Sequence, residues 1–159
     1  MLLLPIILAA LVPSADGLTI HDTSLHVTWL ANANLAATQR FGVSGIASNG
    51  AMKYATAFQW LAALNASNYI GHNNWQLPAS LSIDTTCGAT GPSGSSFGAG
   101  CMGSAMPSLY YKALGLQFPD TAVPIPSQTT GPFTNFQPYL YWSDTENPNS
   151  KTGFRVLSF

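Results

Sequence analysis

The side chains best suited to chemistry gather in one short stretch, Asp144-Thr145-Glu146-Asn147-Pro148-Asn149. Asp144 and Glu146 supply carboxylates, and Asn147 and Asn149 supply amide oxygens, the hard donors that calcium takes. The same residues are also ordinary turn chemistry, because Asn-Pro and Asp-Thr start turns by local hydrogen bonding. Just upstream, Tyr139, Tyr141 and Trp142 alternate along a strand-like run, and the faces of such rings stack on sugars. The candidate ligand-binding set is therefore Tyr141, Trp142, Asp144, Glu146, Asn147 and Asn149. Calcium, held by Asp144, Glu146, Asn147 and Asn149, is the one cofactor these residues suggest.

Other constellations carry less. Gly98-Ala99-Gly100-Cys101-Met102-Gly103 spells the dinucleotide fingerprint G-x-G-x-x-G, but it follows a Gly/Ser loop where the fingerprint needs a hydrophobic strand. Gly42-Val43-Ser44-Gly45 lacks the spacing of a nucleophile elbow. His21 and His26 are five apart on a presumed strand and so point to opposite faces, against a shared metal. His72 reads as a turn residue. Asn65-Ala66-Ser67 matches a glycosylation sequon inside a helical pattern, where a chance match is expected. No catalytic residue is assigned, and a non-enzymatic role is expected.

The two cysteines, Cys87 and Cys101, flank a Gly/Ser-rich loop. Two thiolates do not complete a zinc shell, and no Lys, Arg or His lies nearby in sequence to activate either thiol. A structural disulfide is expected, contributing about 3 kcal/mol by restricting the unfolded loop.

The element that must position the rest runs over residues 54–78. Tyr54, Phe58, Leu61 and Leu64 recur at helical spacing and predict one apolar face. Gly71 stops the helix, His72-Asn73-Asn74 turns the chain, and Trp75-Gln76-Leu77-Pro78 returns against it, with Trp75, Leu77 and Pro78 as structural anchors. Residues 18–30 predict a strand, or two short ones joined at Asp22-Thr23-Ser24. Residues 32–40 predict a short helix and residues 42–50 a loop. Ser104 is expected to cap a second helix that places Met106, Leu109, Tyr110 and Ala113 on one face and ends at Gly115. Proline-rich residues 118–137 read as an ordered loop, and residues 139–143 and 152–159 as strands.

Composition sets the surroundings. The 159 residues suffice for one domain, with a leader over residues 1–17 and the domain over 18–159. The leader reading rests on an apolar run too short to span a bilayer, followed by Pro13-Ser14-Ala15-Asp16-Gly17, with cleavage after Ala15 or Gly17. The alternative is a buried N-terminal strand, against which stand Pro5 and the lack of polar alternation. No Lys or Arg precedes that run. A secreted, extracellular or periplasmic location without a transmembrane anchor follows as an expectation. Only 7% of residues are charged while 47% are hydrophobic, so a folded core is affordable and the surface must rely on hydroxyls and amides. A formal charge of -1 without basic clusters disfavours nucleic acid.

Four blocks, VTWLANANLAATQRFGVSGI, NYIGHNNWQLPA, SAMPSLYYKALG and GPFTNFQPYLYWSDTE, resemble the Lcl C-terminal domain family (domain of unknown function 1566). That bacterial family is usually placed among C-type-lectin-like folds. The Trp-x-Leu-Pro element is also similar to that of sulfatase-modifying, formylglycine-generating domains. The resemblance implies an α+β, C-type-lectin-like fold, with two helices packed on a twisted antiparallel sheet with long loops. Gln76 stands where the family commonly has Arg, and Ala79 where it has Thr. The family usually continues past a strand like residues 152–159 into a closing strand, so the expectation is a sequence truncated at its C-terminus, or else a partner chain covering the unpaired edge that residues 18–30 would expose. Asn147-Pro148-Asn149 is similar to the calcium- and sugar-binding element of true C-type lectins, with Asn for Glu. The implied role is adhesion or recognition of an extracellular glycan or surface polymer. The alternatives are a structural part of an envelope or matrix assembly and a sulfatase-modifying enzyme; nothing after Cys101 supplies the cysteines of the latter.

Overall fold

Apolar alternation over Leu25, Val27 and Trp29 calls for a sheet with one wet face. The computed structural model describes residues 11–91, 96–98, 100–116, 130–137, 140–146 and 154–158, the backbone alone at 97, 146 and 154–158. Strands β1 (Leu11–Pro13), β2 (Thr19–Asp22) and β3 (Val27–Leu30) form an antiparallel sheet in that order. The register pairs Pro13 with Ile20 and Ile20 with Trp29, and Val12 with His21 and His21 with Thr28. Since neighbours along a strand face opposite ways, Leu11, Ile20, Asp22 and Trp29 share the inner face, and Val12, His21 and Thr28 the exposed outer one. The turn after β2 is built by Asp22. Its carboxylate, 1% exposed, accepts the N–H groups of Ser24 at 2.9 Å and Leu25 at 3.1 Å.

β1 and the turn at residues 14–17 lie inside the segment expected as a leader; residues 1–10 of that segment are outside the described ones. Ser14 and Asp16 order the turn. The Ser14 hydroxyl and the Leu18 amide hydrogen-bond to the Asp16 carboxylate and hold it below its ordinary pKa. β2 is therefore a central strand, while β3, also within residues 18–30, has β2 as its one neighbour among the described strands. Just past β3, Thr134 donates its N–H to the Ala31 carbonyl and accepts that of Ala33.

Helix α1 (Tyr54–Ala66) forms where the apolar spacing predicted it. Its buried face differs: Ala57 and Leu64 are inside, Leu61 is half-buried and Phe58 is exposed. The helix ends earlier than the expected stop at Gly71: Ser67 follows its last residue and Asn68 takes the left-handed turn with φ of +50°, while Gly71, φ +81°, closes the separate 3-10 turn (Tyr69–Gly71). The expected short helix at residues 32–40 is one 3-10 turn (Leu35–Ala37).

The second helix is α2 (Ala105–Ser108), continued by a π-helical turn (Leu109–Ala113). Met106, Leu109 and Tyr110 are buried and Ala113 is half-buried, as their spacing predicts. The Ser104 hydroxyl does not cap the helix. It accepts the Leu81 N–H at 2.8 Å instead, tying the chain after Pro78 to the helix start. This helix carries the deep core. Leu109 joins Ile20, Ala31 and Phe133 against the first sheet, and Tyr110 joins Leu116, Phe136 and Tyr141. Ile20 is wholly buried, which contributes about 1.5–3 kcal/mol relative to an exposed side chain.

Strands β4 (Ala89–Thr90) and β5 (Ser96–Phe97) make a small hairpin within the disulfide loop, read from the sequence only as a polar insertion. Strands β6 (Leu140–Glu146) and β7 (Phe154–Ser158) pair antiparallel, with an irregularity between Trp142 and Glu146. The architecture is α+β. Its described strands fall into three separate antiparallel sheets where one twisted sheet was expected, and β6 meets the irregular chain at residues 78–80 through the Asp144 N–H on the Pro78 carbonyl and the Ser80 N–H on the Thr145 hydroxyl oxygen. Among the described residues no helix is long and apolar enough to cross a membrane. Residues 117–129 of the proline-rich loop are outside the described ones.

Candidate functional site

The sequence-chosen ligand set sits on and after β6, where its aromatic members serve the fold. Tyr141 packs on the cluster of Tyr110 and Leu116, its ring tilted at 37° to that of Phe136 at 5.7 Å, while its hydroxyl accepts the Gln137 N–H at 2.8 Å. Burial pushes this phenol above its ordinary pKa despite that bond. Trp142 points the other way, edge-on to Tyr54 at 5.4 Å, and donates its indole N–H to the Met52 carbonyl at 3.2 Å. Asp144 is exposed; its N–H reaches the Pro78 carbonyl and its carboxylate accepts the Thr145 hydroxyl. The Thr145 oxygen also accepts the Ser80 N–H at 2.9 Å. The Glu146 side chain, Asn147, Pro148 and Asn149 are outside the described residues, and with them most of the proposed calcium shell. Among the described residues no three His, Cys, Asp or Glu side chains gather as a metal site.

Cys87 and Cys101 form the expected disulfide. Its loop is fastened at the base by Asp84, 4% exposed. The Asp84 carboxylate accepts N–H groups from Thr86 at 2.9 Å and Gly103 at 2.8 Å, and the Thr86 hydroxyl. Burial alone would raise its pKa, but these bonds and the charge of Lys112 outweigh burial and hold it below the ordinary value. The last glycine of the dinucleotide-like run thereby gains a different explanation. A Cβ on Gly103 would stand 2.8 Å from the Asp84 carboxylate, so the glycine leaves room for that acid.

Trp75, Leu77 and Pro78 are half-buried and lie beside, not within, the deep core. What fixes Trp75 is a paired bond: Asn65 donates its amide N–H to the Trp75 carbonyl at 2.9 Å and accepts the Trp75 N–H at 2.8 Å. The amide of the glycosylation sequon is thus already engaged. The Trp75 ring stands edge-on to His72 at 5.6 Å.

The aromatic group that sequence reading missed lies on the other flank of α1. Phe41 meets Trp60 at 6.1 Å and Tyr69 at 5.6 Å, and all three rings are half-buried. Trp60 is oriented by its indole N–H, which donates to the Gln39 carbonyl at 2.7 Å. Five non-glycine residues in the described chain have left-handed φ, and three of them, Phe41, Asn68 and Ile70, build this corner. Such backbone costs about 1–3 kcal/mol per residue and persists where the surroundings hold it, often at functional sites. Gly42 after Phe41 was a turn signal, but pairing Phe41 with Tyr69 depends on a chain path that no local pattern encodes. Chemically the corner offers ring faces, backbone carbonyls and the exposed Arg40, with no nucleophile–base pair. No family model, curated protein or solved structure matches the chain.

Proposed function

We propose that the chain is a secreted, non-catalytic, C-type-lectin-like binding module that takes a glycan or surface polymer through aromatic faces. The observation that carries this reading is the half-buried corner of Phe41, Trp60 and Tyr69 on one flank of α1, with left-handed backbone at Phe41, Asn68 and Ile70. A surface poor in charge suits a neutral saccharide, whose apolar ring face stacks and whose hydroxyls meet amides and carbonyls. The four sequence blocks that resemble the Lcl C-terminal domain family support the same reading. A glycan array with and without calcium tests it. Trp60→Ala and Tyr69→Ala each weaken binding about threefold to tenfold, since one such ring contact is worth about 0.5–1.5 kcal/mol. Unchanged binding in both folded variants refutes the corner as the site. Loss of binding on chelation alone moves it to Asp144, Glu146, Asn147 and Asn149.

A second reading, a structural part of an envelope or matrix assembly, draws on Leu81 and Ile83, which are 50% and 68% exposed beside the disulfide loop. Size-exclusion chromatography separates the two: a monomer at every concentration counts against assembly.

A further inference from the structure

The first strand bears on processing. Leu11, Val12 and Pro13 pair with Asp22, His21 and Ile20, and Leu11 packs on the core cluster of Ile20, Ala31, Leu109 and Phe133. The turn that follows is closed on both sides. Ser14 donates its N–H to the Thr19 carbonyl at 2.9 Å and its hydroxyl accepts the Thr19 N–H at 3.1 Å. Gly17 donates to the Ser14 carbonyl at 3.0 Å, and the Leu18 N–H reaches the Asp16 carboxylate at 3.0 Å. A cut after Ala15 or Gly17 would strip β1 from β2, leave the backbone groups of a central strand unpaired and uncover Ile20. A cut before Leu11 costs none of these bonds, and Ala9 and Ala10 put small side chains next to that position.

We propose that residues 11–17 are retained as the first strand and turn of the folded domain, and that export processing cuts at or before the Ala10–Leu11 bond. The proposal is independent of the ligand. The test is the full chain expressed in a bacterial host, recovered from the exported fraction and weighed intact, with hydrogen exchange followed on the same protein. The expected mass is that of a cut chain beginning at or just before Leu11, and exchange over residues 11–22 is slower than over the turn at residues 23–26. A mass beginning at Asp16 or Leu18 overturns the proposal, as does full exchange of residues 11–22 within seconds. A chain that stays uncut yet exchanges slowly there supports the strand and counts against the leader, so the two readings fail separately.

Discussion

Asp84 is a carboxylate whose folded pKa is depressed, so its stabilising contribution is present above the ordinary value of 3.8 and lost as pH falls through the lower folded value. Acid unfolding of the native chain is therefore expected to steepen below about pH 4. Asp84→Asn should lose about 1–3 kcal/mol at neutral pH and flatten that acid limb, both read from denaturant titrations at stepped pH. Asn65→Ala removes both hydrogen bonds to the Trp75 backbone and should cost about 1–3 kcal/mol, measured the same way. These roles were partly legible. Asp22 next to Thr-Ser reads as a turn-former and proves to be one. Asp84 does not, because its partner Gly103 lies nineteen residues away across a glycine-rich loop.

Among the elements, the disulfide loop is the most separable. Replacing both Cys87 and Cys101 with Ser should lower stability by about 3 kcal/mol, the entropy regained by the opened loop. Gly103→Ala pushes a methyl into the Asp84 carboxylate and should cost about 1–3 kcal/mol with the disulfide intact, which thermal unfolding with and without reductant would separate. Both helices and the β6–β7 pair were legible, since spacing of apolar residues along one segment decides them. The buried face of α1 was not. Phe58 is the larger apolar side chain, yet it is exposed while Ala57 is buried, a difference that spacing within the segment does not decide. The core likewise centres on the second helix, whose Leu109 and Tyr110 face two different sheets.

At the scale of the whole molecule, few charges mean little electrostatic repulsion between copies. Ile83→Asp should therefore reduce any concentration-dependent association, measured by sedimentation, while leaving the unfolding midpoint within about 0.5 kcal/mol equivalents because the side chain is exposed. The α+β class was legible from the sequence, whereas the meeting of Phe41 with Trp60 and Tyr69 was not, since it joins residues far apart in the chain. The amide clamp on Trp75 also governs how the protein can be made. A eukaryotic secretory host attaches oligosaccharide to Asn-x-Ser during synthesis, before Asn65 has reached Trp75. A sugar on that nitrogen removes a donor from the clamp and wedges bulk between the helix and the returning chain at Trp75. Such a host should thus yield glycosylated, poorly folded chain, and a host without N-linked glycosylation should yield the native one.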